Sequence, residues 1–280
     1  MLSLFIGVVS HPSTRFAVSQ GPEGLAARLA GALEASGIDT TVVVNTADRH
    51  DDVARPVTDD VVQACLTEQV RLDRRWARYL GRARGTRWWI QRGLRWIRRA
   101  EQWVRRPDPA TVRRLLNIEL SHLELLRAGL EAGAAWVLIL EDDAASSDPA
   151  EAAAGLAGLM RSGSDQPAYV NLSLSFSNAE LGIEHLLTPL PATWAGSPER
   201  CLLAAERPVT NTVCAILYRG SFVADLVEAM DALPMEPVVP IDWKLNLALM
   251  EMFASGRLRA GDCWMVEPPP IAQMSMSGKR

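Results

Sequence analysis

Three consecutive carboxylates, Glu141, Asp142 and Asp143, follow directly on five apolar residues, Trp136-Val137-Leu138-Ile139-Leu140. Side chains of an extended chain alternate faces, so Glu141 and Asp143 project the same way if strand geometry continues through them. Two carboxylates at that spacing repel each other unless something cationic lies between them. A hard divalent ion held by oxygen, with a diphosphate as its other ligand, supplies that charge. Acting as a Lewis acid, such an ion neutralises a departing diphosphate. The triplet also fits a plainer description, an exposed acidic turn ahead of a helix whose true cap is Asp148-Pro149.

The elements around the triplet are those of an α/β domain. Residues 3–9 form an apolar run, residues 23–36 carry Leu25, Leu29 and Leu33 at helical spacing with Gly37 as a stop, and residues 40–44 are β-branched. This strand–helix–strand start predicts a parallel sheet of the nucleotide-binding kind, in which ligands gather at the carboxyl ends of the strands. Asp108-Pro109 opens a helix running to about residue 132, with Leu116, Leu120, Leu123 and Leu130 as its apolar stripe. Further elements are a helix over 149–161, strands over 169–176 and 213–217, a helix from Pro240 with Leu245, Leu249 and Met252 inward, and a strand over 264–267.

The helix segment Asn117-Ile-Glu-Leu-Ser-His-Leu-Glu-Leu-Leu126, followed by Ala134-Ala-Trp-Val-Leu-Ile-Leu-Glu-Asp-Asp143, resembles family 25 glycosyltransferases, which include lipopolysaccharide galactosyltransferases and collagen glycosyltransferases. Thr212-Val-Cys-Ala-Ile-Leu-Tyr218 leading through a helix to Val239-Pro-Ile-Asp242, and Val266-Glu-Pro-Pro-Pro-Ile-Ala-Gln273, are similar to later elements of that family. Order and spacing agree across residues 112–280 and only in outline over the first 50. Ser10-His-Pro-Ser-Thr-Arg15 stands where the family carries an arginine-rich loop.

The resemblance implies a GT-A-like mixed, mainly parallel sheet flanked by helices. It also implies transfer of a hexose from a nucleotide-sugar, with a UDP-sugar the expected donor, to a saccharide or glycolipid hydroxyl with inversion. Glu141 and Asp143 then hold Mn²⁺ or Mg²⁺, and Asp142 contacts the donor. Asp242 is the candidate base that takes the acceptor proton, although an aspartate at a helix start is often simply a cap. His122 faces inward with Leu115, Ile118 and Leu125 and lines the site or serves as a hydrogen-bonded core histidine. Gln273 borders the donor pocket. By fold analogy, His11 and Arg15 at the first strand exit meet the nucleotide phosphates. A nucleotidyltransferase of related fold also needs metal and carboxylates, but its Gly-rich basic loop is missing from residues 11–15.

Residues 58–107, read as an inserted helical segment, have no counterpart in that family. The net charge of −4 conceals thirteen arginines against Asp73 and Glu101 over residues 71–106, a local balance of +11 that leaves −15 elsewhere. Trp89, Trp96 and Trp103 recur every seven residues, making an apolar stripe among Arg92, Arg95, Arg99 and their neighbours. This pattern fits a helix lying on an anionic membrane surface. It equally fits packing on the domain or against a twin helix in a homodimer. A non-catalytic membrane-surface or partner-binding protein built on this segment is the alternative to an enzyme. Nucleic acid is disfavoured as a partner because the rest of the chain is acidic and carries no nucleic-acid motif. Four cysteines without metal-ligand spacing read as reduced, mostly buried thiols of a cytoplasmic protein. The start lacks the basic residues of a signal peptide, and no apolar run is long enough to span a bilayer. The expected location is therefore cytoplasmic, peripheral at the inner face of the plasma membrane.

Overall fold

Residue order and apolar patterning build a three-layer αβα arrangement in the computed structural model, which describes residues 2–10, 24–46, 75–81, 109–162, 166–195, 197–233 and 240–274. His11, Arg15, Trp89, Trp96, Trp103, Arg92, Arg95 and Arg99 lie outside the described residues. The first apolar run is β1 (Ser3–Val9), followed by α1 (Leu25–Ala35) and β2 (Asp39–Asn45). Helix α2 (Pro109–Glu131) leads into β3 (Trp136–Glu141), the two-residue β4 (Ala144–Ala145) and α3 (Pro149–Arg161). Next come β5 (Tyr169–Asn171), the single-turn α4 (Asn178–Leu181), β6 (Leu187–Thr193) and β7 (Cys201–Ala205). The last described elements are β8 (Ala215–Arg219), α5 (Gly220–Asp231), α6 (Ile241–Ala254), β9 (Cys263–Glu267) and β10 (Ala272–Gln273).

Eight strands form one sheet in the order β2-β1-β3-β8-β5-β9-β7-β6. β1 lies between β2 and β3 with all three parallel, whereas β8 runs against both β3 and β5. β9 is parallel to β5, and β7 and β6 close the edge antiparallel. Six strands thus share one direction, yet the two reversed strands, β7 and β8, make four of the seven pairings antiparallel. The sheet is more mixed than the expected mainly parallel one. β6 and β7, and the β4–β10 pair, have no sequence expectation behind them.

Strand alternation sorts the core. Trp136, Leu138 and Leu140 pack with α1 and α3 on one face, and Val137 and Ile139 pack with α2, α5 and α6 on the other. Helix α1 buries Leu25, Leu29 and Leu33 and gives way to Gly37, whose φ of +78° favours glycine. Asp148 caps α3 by accepting from Glu151 N at 2.9 Å, with Pro149 opening the helix. Gly155 lets Trp194 close on α3, since a Cβ there would fall 1.8 Å from a ring atom. In α2 the buried face carries Leu116, Leu123 and Leu126 together with Glu119 and His122, while Leu130 is 42% exposed. Of the expected stripe, Leu116 and Leu123 are buried, Leu120 is only half-buried and Leu130 is exposed, so the apolar face of α2 does not follow the expected line.

Of the basic segment, residues 75–79 form a helical turn seated on α6. Trp76 meets Trp243 edge to face at 6.0 Å, and Tyr79 meets Phe253 at 5.8 Å. Arg75 pairs with Glu251. Among the described residues, no helix is long and apolar enough to cross a membrane.

Candidate active site

The acid triplet leaves β3 at the carboxyl edge of the sheet. The chain does not stay extended through it. A turn at 142–143 intervenes before β4, so the carboxylates converge through that turn and not through strand alternation. Glu141 N donates to Cys214 O at 2.8 Å, which carries the β3–β8 ladder one residue past Leu140 and Ala215. Carboxylate oxygens of Glu141 and Asp143 and the Cys214 sulfur all lie within 4.8 Å of one another, and Cys214 Sγ is 3.7 Å from Asp143 Oδ1. Asp143 is 5% exposed, and Asp142 sits half-buried in the turn. An exposed acidic turn is therefore not what forms here, and the cap of α3 is supplied by Asp148.

The tail folds back over the acids. β10 pairs with β4, placing Gln273 opposite Ala144, and Met274 N donates to Asp143 O at 2.9 Å. The Gln273 side-chain oxygen accepts from Ser175 Oγ at 2.5 Å and from Thr212 Oγ1 at 3.4 Å. Those two hydroxyls fix which way the amide points, and its Nε2 reaches Glu141 Oε2 at 3.4 Å. A residue 132 positions downstream thus orients the first acid.

His122 approaches from α2. Its side chain is 3% exposed and its Nε2 stands 3.6 Å from Glu141 Oε1. That nitrogen has no hydrogen-bond partner among the described residues. A buried nitrogen without a hydrogen bond is costly, and Glu141 Oε1 is the ion-pair neighbour of this one. Its direction, into the carboxylates, fits a site that takes up a cation.

Asp242 lies in the first turn of α6, one position inside Pro240 and Ile241, and so is not the capping residue itself. Its carboxylate accepts from Trp243 N at 3.0 Å. Burial pushes its pKa up to about 6; the Trp243 N–H opposes that shift, and the negative charge of Glu141 adds to it. The Cys214 thiol is held well above its ordinary value by burial, and by the charges of Glu141 and Asp143.

Several supporting residues escaped the sequence reading. Asn246 donates to Thr210 O and Asp242 O, both at 2.9 Å, and accepts from Thr210 N at 2.9 Å. Thr210 Oγ1 lies 2.8 Å from Asn171 Oδ1, and Ala215 N donates to Ser173 Oγ at 3.0 Å. These bonds lock the 209–214 loop between α6 and β5. A buried ion pair, Glu119 with Lys244, ties α2 to α6. One signal was available for it: Glu119 lies a turn before His122, so the face that buries one buries the other. Thr212 and Cys214 fall in a segment similar to the family, but neither they nor Ser175 have a spacing that marks a place beside the acids.

Of the described cysteines, Cys214 and Cys263 are buried and free and Cys201 is free and exposed, in keeping with mostly buried thiols, while Cys65 lies outside the described residues. Comparison with protein-family models and with curated proteins finds no match to this chain.

Proposed function

We propose that this chain is a metal-dependent glycosyltransferase of GT-A type that moves a hexose from a nucleotide-sugar, with a UDP-sugar the favoured donor, to a saccharide or glycolipid hydroxyl. The observation that carries the reading is the convergence of Glu141, Asp143 and Gln273 at the carboxyl edge of a mixed αβα sheet, with Asp242 on α6 near enough to feel the charge of Glu141. A parallel β2-β1-β3 start with acids ending the third strand is compatible with that fold.

Glu141 and Asp143 would hold Mn²⁺ or Mg²⁺, which when bound offsets the charge of the leaving diphosphate. Gln273 and His122 keep the Glu141 carboxylate in place from two sides. Asp242 takes the proton of the attacking acceptor hydroxyl as the new bond to the anomeric carbon forms and the bond to the phosphate oxygen breaks, which inverts that carbon. A carboxyl titrating near pH 6 is ionised at neutral pH and is a better proton acceptor than an ordinary aspartate. The root of the basic segment rests on Trp243, the residue after Asp242. An anionic membrane bound by residues 71–106 would therefore present a glycolipid on the acceptor side, consistent with a peripheral protein at the inner face of the plasma membrane.

A thermal-shift screen of nucleotide-sugars with and without Mn²⁺ tests this. The expected result is stabilisation by donors of one base, dependent on Mn²⁺ and lost in Asp143→Ala. No stabilisation by any donor, with Mn²⁺ present, contradicts it.

A further inference from the structure

We propose that Cys214 is a third protein ligand at the Glu141–Asp143 ion site, which makes this a site where Zn²⁺ displaces Mg²⁺ and Mn²⁺. The inference rests on the reading of the two carboxylates as an ion site and goes beyond it, since a thiolate ligand biases the site toward zinc more strongly than oxygen ligands alone.

The thiol already stands at co-ligand distance from one of the two carboxylates, to which it donates a hydrogen bond. A tetrahedral ion bound to oxygen and to sulfur sets those two donors roughly 3.6 Å apart, and Cys214 Sγ stands 3.7 Å from Asp143 Oδ1. The sulfur is held there by backbone, because Cys214 O accepts from Glu141 N across the end of the β3–β8 ladder. No loop has to move to bring the thiol in. A second and independent observation points to a cation: His122 Nε2, buried and without a hydrogen-bond partner among the described residues, is aimed at Glu141 Oε1 from 3.6 Å. Two carboxylate oxygens and a thiolate sulfur form a mixed donor set, which suits zinc or cobalt, whereas magnesium takes oxygen alone. Across such sites Zn²⁺ also binds more tightly than Mn²⁺. On zinc binding, the thiol proton passes to solvent and the thiolate completes the set. The consequence for function is that Zn²⁺ occupies the position needed by the ion that supports turnover.

Co²⁺ titration of the full chain is the test, because thiolate ligation gives cobalt a near-ultraviolet charge-transfer band. The expected result is a band saturating at one ion per chain, bleached by Zn²⁺ and not by Mg²⁺. In Cys214→Ser the band disappears and Zn²⁺ affinity falls by about 10–100-fold, while Mn²⁺ binding followed by electron paramagnetic resonance is kept. Cys201→Ser, altering the exposed cysteine, leaves the band intact, and a thermal melt confirms that both variants fold. Mn²⁺ binding that needs Asp143, with no cobalt–sulfur band, overturns this inference and leaves the ion-site reading standing. A band that survives in Cys214→Ser also overturns it. If neither Mn²⁺ nor Co²⁺ binds, both the inference and the reading beneath it fail.

Discussion

The three strands on one side of the acid cluster and the five on the other are organised differently. β2, β1 and β3 are parallel, joined through helices, and sorted by simple alternation between two cores. From β8 onward, direction changes repeatedly, β5 is only three residues long, and the edge strand β6 carries two prolines, Pro189 and Pro191. The carboxylates come from the first part, at the seam where β3 meets the reversed β8. Cys214, Ser175, Thr212, Asp242 and Gln273 all come from the second. The ion-binding carboxylates are thus delivered by the regular half, and the irregular half supplies Gln273, which orients Glu141, and the candidate base Asp242.

Removing the charge should have the largest effect. Asp143→Ala is expected to abolish Mn²⁺-dependent donor turnover, a loss on the order of a thousandfold or more, as removal of several kcal/mol of charge stabilisation implies. A steady-state assay against Mn²⁺ concentration checks it. Asp242→Asn should lower turnover by about 10²–10³-fold while Mn²⁺ and nucleotide still bind, and wild-type activity should fall as pH drops below about 6. Stability carries a linked sign. A pKa raised from 3.8 to about 6 means that the native state holds the proton longer than the unfolded chain. The contribution of Asp242 to stability is then full below the unfolded value and is lost as pH rises through about 6. Asp242→Asn should flatten that part of the stability–pH curve, as read by denaturant melts.

The buried tie between the halves comes next. Lys244→Met leaves Glu119 charged and buried, at an expected cost of about 3–5 kcal/mol, and Glu119→Gln in the same chain should restore much of it. Equal destabilisation in the single and double variants would show that the pair does not act as a unit. Gln273→Ala should be mildest, weakening Mn²⁺ binding by about 1 kcal/mol, the worth of one hydrogen bond, with the fold intact. An effect of Gln273→Ala as large as that of Asp143→Ala would erase the division between delivering charge and orienting it.

The same division explains what the sequence made legible. Residues 3–9, 136–140 and 149–161 announce themselves through an apolar run or through Asp148-Pro149, and all three form, the second one residue longer than expected. The Glu141–Asp143 cluster and the inward His122 were readable for the same reason. Past the seam, local signals mislead. The apolar run 169–176 is strand only to Asn171, because Ser173 and Ser175 are drawn into bonds with Ala215 and Gln273. Val213 and Cys214 read as strand, yet β8 starts at Ala215. The two-residue strands β4 and β10 exist only through pairing across more than 120 residues, which no local pattern encodes. Cys214 was unreadable since its significance lies wholly in its distance to Asp143.

The most direct measurement is anomalous diffraction at the manganese edge from crystals soaked with Mn²⁺ and a uridine diphosphate-sugar. The account predicts one strong peak bonded to Glu141 and Asp143, with a donor phosphate oxygen completing its shell. An ion bound elsewhere, or a nucleotide bound away from the end of β3 with no metal at these carboxylates, would contradict it.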